Sequence, residues 1–333
     1  MGRDLTNRVP VVVGIGEVLW DILPQKKLPG GAPANVVFHC RQLGLQSYLV
    51  SELGIDDLGH EMRALLAGLL FEPGFLRISD RYPTGSVSVQ LDNNQNPQYQ
   101  IRENVAWDYI RWSPKLKVLA RKADAVCFGS LAQRGVVSRA TIRRFLDYTR
   151  PECLRVFDIN LREPYPDPAI LFASLERANV VKLNTDELEY MSNLLHLRGD
   201  TQNRLANMIQ MFDLFCIALT RGAEGSLLVS DTEAVDCPGL PVHVQDTVGA
   251  GDAFTAAVIM GLLMKKPLRE INTVARRIAA FVCTQMGAMV DLPGDLLQSL
   301  RDSRLSIREY RGHQTISADE LSTGQIIDRD RKR

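Results

Sequence analysis

The sequence predicts an α/β protein of three layers, in which helices cover both faces of a mostly parallel sheet and a small β element lies beside it. Short apolar runs of strand length alternate with helical segments along most of the chain. One region instead alternates apolar and polar residues with a period of two, which is typical of an antiparallel hairpin. The composition agrees, because 45% of the 333 residues are hydrophobic and 23% are charged.

The strand-like runs are short and apolar. Val11–Ile15 has no polar residue, as expected of a strand that is buried on both faces of a parallel sheet. Runs of the same kind follow at 47–53, 123–129, 154–159, 180–183 and 214–219. Their spacing leaves room for one helix between most neighbouring strands.

Helical spacing fills those intervals. Residues 57–70 carry one apolar face, formed by Leu58, Met62, Leu65, Leu66 and Leu69. Further helical segments lie at 138–149, 168–177, 185–212 with a break near Gly199, 251–264 and 270–283. This alternation predicts parallel strands joined by crossover helices.

The region with period two lies at 84–91, and it resumes at 99–102 after a break rich in asparagine. A second stretch, 16–31, is rich in turn residues. Together they predict a small β lid with elements near 16–31 and 84–108, beside a domain that covers 1–300; the alternative is an ordinary peripheral hairpin. Residues 301–333 are predicted to form a charged C-terminal tail.

Several classes of protein are disfavoured. Lys+Arg and Asp+Glu both number 39, so no net positive charge would attract nucleic acid. The longest apolar stretch, 253–264, is shorter than the roughly 20 residues of a membrane span. The six cysteines lack paired spacing and are expected to be free thiols in a reducing compartment. There is no P-loop, and Leu19 occupies the third glycine position of a dinucleotide fingerprint.

The strongest motif is DTVGAGDAF, which occupies 246–254, follows a strand-like run at 241–244 and opens an apolar helix. Its glycines allow a tight turn and a close approach to a ligand. The first N–H groups of a helix lack partners within the helix and can bind an anion. An acid beside such a site is either a helix cap or a base next to a bound phosphate, and Asp252 is the candidate for both roles.

Weaker motifs lie at three other turns. The glycine cluster at 30–35 leads to Asn35, and Asp21 follows the first strand; both side chains can bond sugar hydroxyls. Asn184 and Glu187 are spaced i, i+3 at a helix start, which suits either a Mg²⁺ shell through water or a capping box. The glycine-rich turn at 220–226 is either part of a ligand cleft or an ordinary tight turn.

Taken in order, these motifs resemble the ribokinase-like (PfkB) family of sugar kinases, and they are closest to the fructokinases of that family. The stretch GGAPANVVFHCRQLG at 30–44 is similar to its N-terminal signature, and DTVGAGDAF at 246–254 is similar to its C-terminal signature. Between them, the segments 53–59, 128–130, 158–162 and 184–187 stand where such kinases have counterparts. The resemblance runs from about residue 11 to about residue 293.

The resemblance implies that the γ-phosphoryl group of ATP is transferred to a primary hydroxyl of a sugar. Asp252 would be the base that accepts the hydroxyl proton. The backbone N–H groups of Gly249, Ala250 and Gly251 would form the anion hole for the transferring group.

The resemblance also implies the remaining binding residues. The sugar would be bound by Asp21, Gly31, Asn35, Arg102 and Arg162, the last of which could also face phosphate. ATP would lie against Thr220, Gly222 and Gly225. Asn184 and Glu187 would organise Mg²⁺ through water, and the backbone at Asp246 and Val248 would hold a monovalent cation, K⁺ in many relatives.

The expected partners are therefore a small-molecule sugar and ATP, in a cytoplasmic enzyme without a nucleic-acid or membrane partner; a homodimer formed through the lid is a further expectation. Fructose is the favoured sugar. Keto-deoxygluconate kinase, ribokinase and nucleoside kinase stay open, because Ile159 stands where fructokinases usually have proline. A non-catalytic sugar-binding relative would be expected to lack the acid at 252.

Overall fold

Thirteen strands occur in the described part of the computed structural model, which comprises residues 8–69, 73–91 and 97–299. In chain order they are β1 (Val11–Ile15), β2 (Leu19–Leu23), β3 (Lys26–Gly30), β4 (Gln46–Gly54), β5 (Leu76–Ser79), β6 (Gly85–Leu91), β7 (Pro97–Ile101), β8 (Ala125–Gly129), β9 (Leu154–Asp158), β10 (Val180–Asn184), β11 (Cys216–Thr220), β12 (Ser226–Val229) and β13 (Ala234–Cys237).

Helices separate most of these strands. They are α1 (Ala32–Gln42), α2 (Asp57–Gly68), α3 (Pro114–Lys122), α4 (Val136–Asp147), α5 (Pro168–Leu175), α6 (Thr185–Leu195), α7 (Thr201–Phe212), α8 (Ala250–Leu263), α9 (Leu268–Cys283) and α10 (Gly294–Gln298). None of the helices in the described ranges is long and apolar enough to cross a membrane.

The central sheet has the order β13-β12-β11-β10-β9-β8-β1-β4-β5. All pairs from β11 through β5 are parallel; at one edge the pairs β11–β12 and β12–β13 are antiparallel, so β12 alone among the described strands of this sheet runs in the opposite direction. The predicted mostly parallel sheet is therefore confirmed. The carboxyl ends of its parallel strands share one edge, where ligands bind in open α/β sheets.

Both faces of this sheet are buried at β1, which explains why that strand is apolar throughout. Successive residues of β1 point to opposite faces: Val12 packs in the core that contains α1, α8 and α9, and Val13 packs in the core that contains α4 to α7. Both side chains are fully buried. A strand without a solvent face needs no polar alternation.

A second, four-stranded sheet has the order β3-β2-β6-β7. The predicted hairpin is present as the antiparallel pair β6–β7, and β6 runs parallel to β2. Asp56, the N-cap of α2, holds the start of β6 by accepting hydrogen bonds from the Thr84 amide at 2.8 Å and hydroxyl at 2.6 Å. The role of this sheet as a lid stays a prediction.

Three parts of the fold differ from expectation. Residues 241–244, which resemble a strand in sequence, form no strand, and their apolar side chains Val242 and Val244 are 39% and 55% exposed. The sequence patterns also did not indicate α3 or the edge strands β12 and β13. The predicted tail, 301–333, lies outside the described residues.

Candidate active site

The turn before α8 is shaped by a glycine. Gly249 is the N-cap of α8 with φ of 79°, a backbone conformation that favours glycine. A side chain there would also overlap Ala288, because the Cβ would lie only 2.5 Å from its Cα atom. The chain therefore enters α8 abruptly, with the first amides of the helix at the sheet edge. The Ala250 amide contacts the Thr247 carbonyl at 3.3 Å, so this member of the predicted anion hole is already engaged.

Asp252 lies in the first turn of α8 but does not cap it, since Gly249 occupies the cap position. Its Oδ2 accepts a hydrogen bond from Asn35 Nδ2 at 2.7 Å. Burial and the charge of Asp158 raise the pKa of Asp252 to about 6, against the effects of the Asn35 hydrogen bond and of nearby cations. The structure thus brings two predicted site residues, Asp252 and Asn35, into direct contact across 217 positions of sequence.

Asp21, on β2, lies beside the glycine pair at the start of α1. A side chain on Gly30 would begin 2.6 Å from Asp21 Oδ2, so the small residue makes room for the carboxylate. Burial raises the pKa of Asp21 to about 6, with Arg162 lowering it and Asp246 raising it. The exposed Arg162 also lowers the pKa of Asp252. Its charge therefore acts on both carboxyls.

Glu17 lies four positions before Asp21, after the first strand, and is a further candidate residue. Its side chain is 2% exposed, and its Oε2 has no hydrogen-bond partner within the described residues. Burial raises its pKa to about 7, while Arg162 lowers it and Asp252 raises it. The signal in the sequence is a glutamate inside the run Gly16–Trp20, which is otherwise free of charge.

The sequence motifs did not identify Lys182 as a site residue. It lies in the middle of β10, where its Nζ pairs with Asp158 Oδ1 at 3.2 Å, and it stands 3.1 Å from where a side chain on Gly251 would begin. Burial disfavours its charge, but Asp158, Glu187 and Asp252 outweigh that effect and raise its pKa. A lysine inside the apolar run VVKLN is the signal that could have identified it.

Asn184 and Glu187 form the capping box that was the alternative to a metal site. Asn184 Oδ1 accepts from the Glu187 amide at 2.8 Å, and Glu187 Oε2 accepts from the Asn184 amide at 2.7 Å. Glu187 Oε1 accepts from the Leu161 amide at 3.0 Å, and burial raises the pKa of the carboxyl. The described residues contain no group of three or more His, Cys, Asp or Glu side chains placed to hold a metal ion, so a metal here would also need asparagine or water as ligands.

Asp246 also bonds to backbone amides. Its Oδ1 accepts from Val248 and its Oδ2 accepts from Gly287, both at 3.0 Å. These bonds tie the turn before α8 to the loop that follows α9. These side-chain hydrogen bonds do not test the predicted monovalent-cation site, because that prediction concerns the backbone at Asp246 and Val248.

The predicted ATP residues lie at the carboxyl end of β11. Thr220 donates its hydroxyl to the Leu183 carbonyl at 3.4 Å, and Gly222 faces open space. Gly225 packs against Cys237 of the edge strand, so packing alone accounts for this glycine. Arg102 is exposed after β7, and its role at the sugar stays a prediction. Burial raises the pKa of Asp56, but hydrogen bonds from Thr84 and Gly59 and the charge of Arg102 outweigh this effect and lower it.

The geometry has a definite chemical capability. A buried carboxylate beside the first amides of a helix can accept a proton from a hydroxyl while those amides bind a negatively charged group. Glu17, whose pKa Asp252 raises, and Asp21 add carboxyl groups that can bond the hydroxyls of a neutral ligand.

Comparisons with known proteins identify the family to which this chain is related. The profile of the pfkB family carbohydrate kinase matches residues 18–294. A fructokinase from Salmonella typhimurium is 30% identical over an alignment 297 residues long, which covers 84% of this chain and 95% of the relative. A fructokinase from Klebsiella pneumoniae is 29% identical over an alignment 306 residues long, which covers 86% of this chain and 98% of the relative.

Solved structures show the same fold. An uncharacterized sugar kinase from Pyrococcus horikoshii in complex with ATP superposes with a TM-score of 0.72 at 26% identity, over 87% of this chain and 100% of that chain. A fructokinase from Vibrio cholerae with fructose, ADP and a calcium ion has a TM-score of 0.74 at 23% identity, over 88% of this chain and 99% of that chain. With its ribokinase-like fold and a family match over most of its length, this chain belongs to the pfkB family of carbohydrate kinases.

Proposed function

We propose that this sugar kinase is an ATP-dependent fructokinase. The observation that carries the proposal is the hydrogen bond from Asn35 to Asp252, which joins helix α1 to a buried carboxyl in the first turn of α8. The named fructokinase relatives support the choice of fructose.

In the proposed mechanism, Asp252 takes the proton of a primary hydroxyl as that oxygen attacks the γ-phosphorus of ATP. The O–P bond to the sugar forms and the bond to ADP breaks. The amides of Gly249 and Gly251 and the dipole of α8 stabilise the charge on the transferring group. Asp21 and Asn35 hold other hydroxyls of the sugar, and Arg162 supplies a positive charge at the mouth of the site.

The residues present fit a magnesium ion. Asp158 Oδ2 is buried without a hydrogen-bond partner in the described ranges, and Asn184 and Glu187 add further oxygen atoms nearby on β10 and α6. Oxygen ligands and retained water are what Mg²⁺ prefers. When bound, the ion would neutralise charge on the phosphates of ATP. K⁺ near the backbone of Asp246 and Val248 is part of the same proposal, and Thr220, Gly222 and Gly225 would line the nucleotide cleft.

The second sheet would close over the bound sugar. Its strand β3 already reaches the loop after α9, since Leu28 lies 3.5 Å from where a side chain on Gly287 would begin. Excluding water from this cleft protects the phosphoryl group from hydrolysis. A homodimer through this sheet and a cytoplasmic location stay predictions.

The test is a panel of fructose, ribose, keto-deoxygluconate and nucleosides in a coupled assay for ADP release. We expect fructose to give the highest kcat/KM. A tenfold preference for another member would replace fructose by that substrate. ATP hydrolysis that no sugar accelerates would remove the kinase assignment, while an active wild type makes the Asp252 variants described below interpretable.

A further inference from the structure

Helix α1 carries a line of polar side chains in a buried setting. Asn35, His39 and Gln42 are spaced i, i+4 and i+7 and therefore share one face of the helix. His39 has no exposed surface, and Asn35 is 3% exposed. Buried polar groups are unfavourable unless they are hydrogen bonded, so each of these side chains needs a partner.

Those partners belong to two parts of the active site. Asn35 donates to the base, Asp252. His39 Nε2 donates to the Ala288 carbonyl at 2.8 Å. Gln42 donates to the Val290 carbonyl at 2.9 Å and accepts from the Leu292 amide at 2.8 Å. One face of one helix thus holds both the base and the loop at 286–292.

That loop supports the turn before α8. Ala288 is packed directly against Gly249, leaving no space for a side chain there. Its neighbour Gly287 donates to Asp246 at 3.0 Å. A displacement of Ala288 would therefore move the backbone amides that are proposed to bind the phosphoryl group.

The hydrogen bonds fix the protonation of His39. A carbonyl can only accept, so Nε2 carries the hydrogen and Nδ1 presents a lone pair. Gln42 Nε2 faces Nδ1 at 3.5 Å and offers a donor to it. Burial lowers the pKa of His39 to about 4. The neutral imidazole is thus a fixed donor to Ala288 over the working range of pH.

We propose that His39 is a positioning residue for phosphoryl transfer: by holding Ala288 it fixes the anion-binding turn relative to the base that Asn35 holds on the same helix. This inference rests on the proposed function, because the turn matters only if it receives the phosphoryl group. Alignment of the two groups is what converts binding into rate, and a misplacement of about 1 Å can cost a factor on the order of 100.

The first test compares His39→Leu, which removes the donor at similar size, with His39→Gln, whose amide can still donate to Ala288. We expect His39→Leu to lower kcat about tenfold with a nearly unchanged KM for the sugar, and His39→Gln to recover most of the loss. A kcat for His39→Leu within about twofold of wild type would overturn the proposal.

The matched control is Asn179→Leu. Asn179 also joins two backbone groups, accepting from the Arg155 amide at 2.7 Å and donating to the Cys153 carbonyl at 2.9 Å, but it lies at the opposite edge of the sheet. It should lower the melting temperature as His39→Leu does and leave kcat unchanged. If both variants lose kcat equally, general destabilisation explains His39 and the proposal fails.

Amide hydrogen exchange gives a readout that needs no sugar. We expect His39→Leu to speed exchange at 286–292 and at 249–251, and Asn179→Leu to leave both segments as in wild type. Unchanged exchange in His39→Leu would refute the positioning role, whether or not any tested sugar is phosphorylated. Failure of the enzyme to phosphorylate any tested sugar would count separately, against the proposed function.

Discussion

Asp252 is held so that it is ionised at neutral pH and still able to accept a proton. Burial and Asp158 raise its pKa to about 6, and Asn35, Lys182 and Arg162 limit the rise. A pKa just below the working pH is favourable for a general base. Substitution of Asp252 is therefore the most direct test of its role as the general base.

Replacing the base should remove turnover and preserve the fold. Asp252→Asn keeps the shape and the acceptor for Asn35 but cannot take a proton, so we expect kcat to fall about 10²- to 10⁴-fold. Calorimetry should still detect ATP and sugar binding, and the melting temperature should change little. An Asn variant with more than about a tenth of wild-type kcat would contradict the general-base role.

The pH profile should report the same carboxyl. With a pKa of about 6, Asp252 becomes protonated as the pH falls through that value, so kcat/KM should fall with the uptake of one proton. Glu17 and Asp21 also titrate in this range, because burial raises their pKa values to about 7 and about 6. If Asp252 is responsible, Glu17→Gln and Asp21→Asn should both keep an acid limb near 6; loss of the limb in either variant would assign it to the acid replaced there.

At the scale of elements, the sequence predicts best what is buried on two faces. Strands such as β1 and β8 are fully buried and carry no charged residue, so their positions could be identified directly. The edge strands β12 and β13 are short and pair antiparallel, and the sequence suggests only a glycine-rich turn there. The strand expected from the apolar residues at 241–244 is absent, because the side chains of Val242 and Val244 are exposed rather than packed.

The site follows the same division. The start of α8, which carries Asp252, has a distinctive sequence. Its contact with Asn35 joins the segment at 246–254 to the segment at 30–44, and both segments are recognisable from the sequence. Lys182 escaped attention because its charge is compensated only by partners on other elements, Asp158 and Glu187. The apolar run VVKLN indicates that the lysine is buried, but no local pattern shows that carboxyls surround it. His39 likewise acquires its partner 249 positions away.

Helix α6 offers a test of the metal proposal. Glu187→Gln should raise the Mg²⁺ concentration for half-maximal rate and leave sugar affinity nearly unchanged, because a neutral amide attracts the ion less. If the capping box is the whole role, the change should instead cost about 1 kcal/mol of stability or less.

The control for this prediction is Asp200→Ala. Asp200 is the N-cap of α7 and accepts from the Asn203 amide at 2.8 Å, with no part in the proposed site. It should lower the melting temperature without moving the Mg²⁺ titration. A Mg²⁺ titration of Glu187→Gln that overlays that of wild type would refute the metal role.

At the scale of the whole molecule, the active site makes stability and activity respond oppositely to pH. Glu17, Asp21 and Asp252 have pKa values of about 7, 6 and 6 in the fold, above the usual 4.5 and 3.8 of these side chains. The native state therefore binds more protons than the unfolded chain between about pH 4 and 7, and their contribution to stability is lost as the pH rises through that window.

His39 acts in the other direction. Its pKa falls from 6.5 to about 4 on folding, so the unfolded chain binds the extra proton between these values and stability falls as the pH falls. Because the three carboxyls together outweigh the one imidazole, the free energy of unfolding should be larger at mildly acidic pH. We expect the melting temperature to be about 2–4 °C higher at pH 5.5 than at pH 7.5, while kcat/KM is lower. A melting temperature that falls over this range would contradict these pKa shifts, and Glu17→Gln should reduce the slope.

The joint between the two sheets has a consequence for how the sequence of this enzyme can vary in length. Gly31 alone separates β3 from α1; its φ is 108°, and a Cβ there would lie 2.5 Å from the Glu17 carbonyl oxygen. An inserted residue would find no loop to absorb it. Winding it into the helix would turn α1 by about 100° and advance it by about 1.5 Å. Asn35, His39 and Gln42 would then all face away from their partners at once, so a single insertion at this joint is equivalent to three simultaneous substitutions in the site.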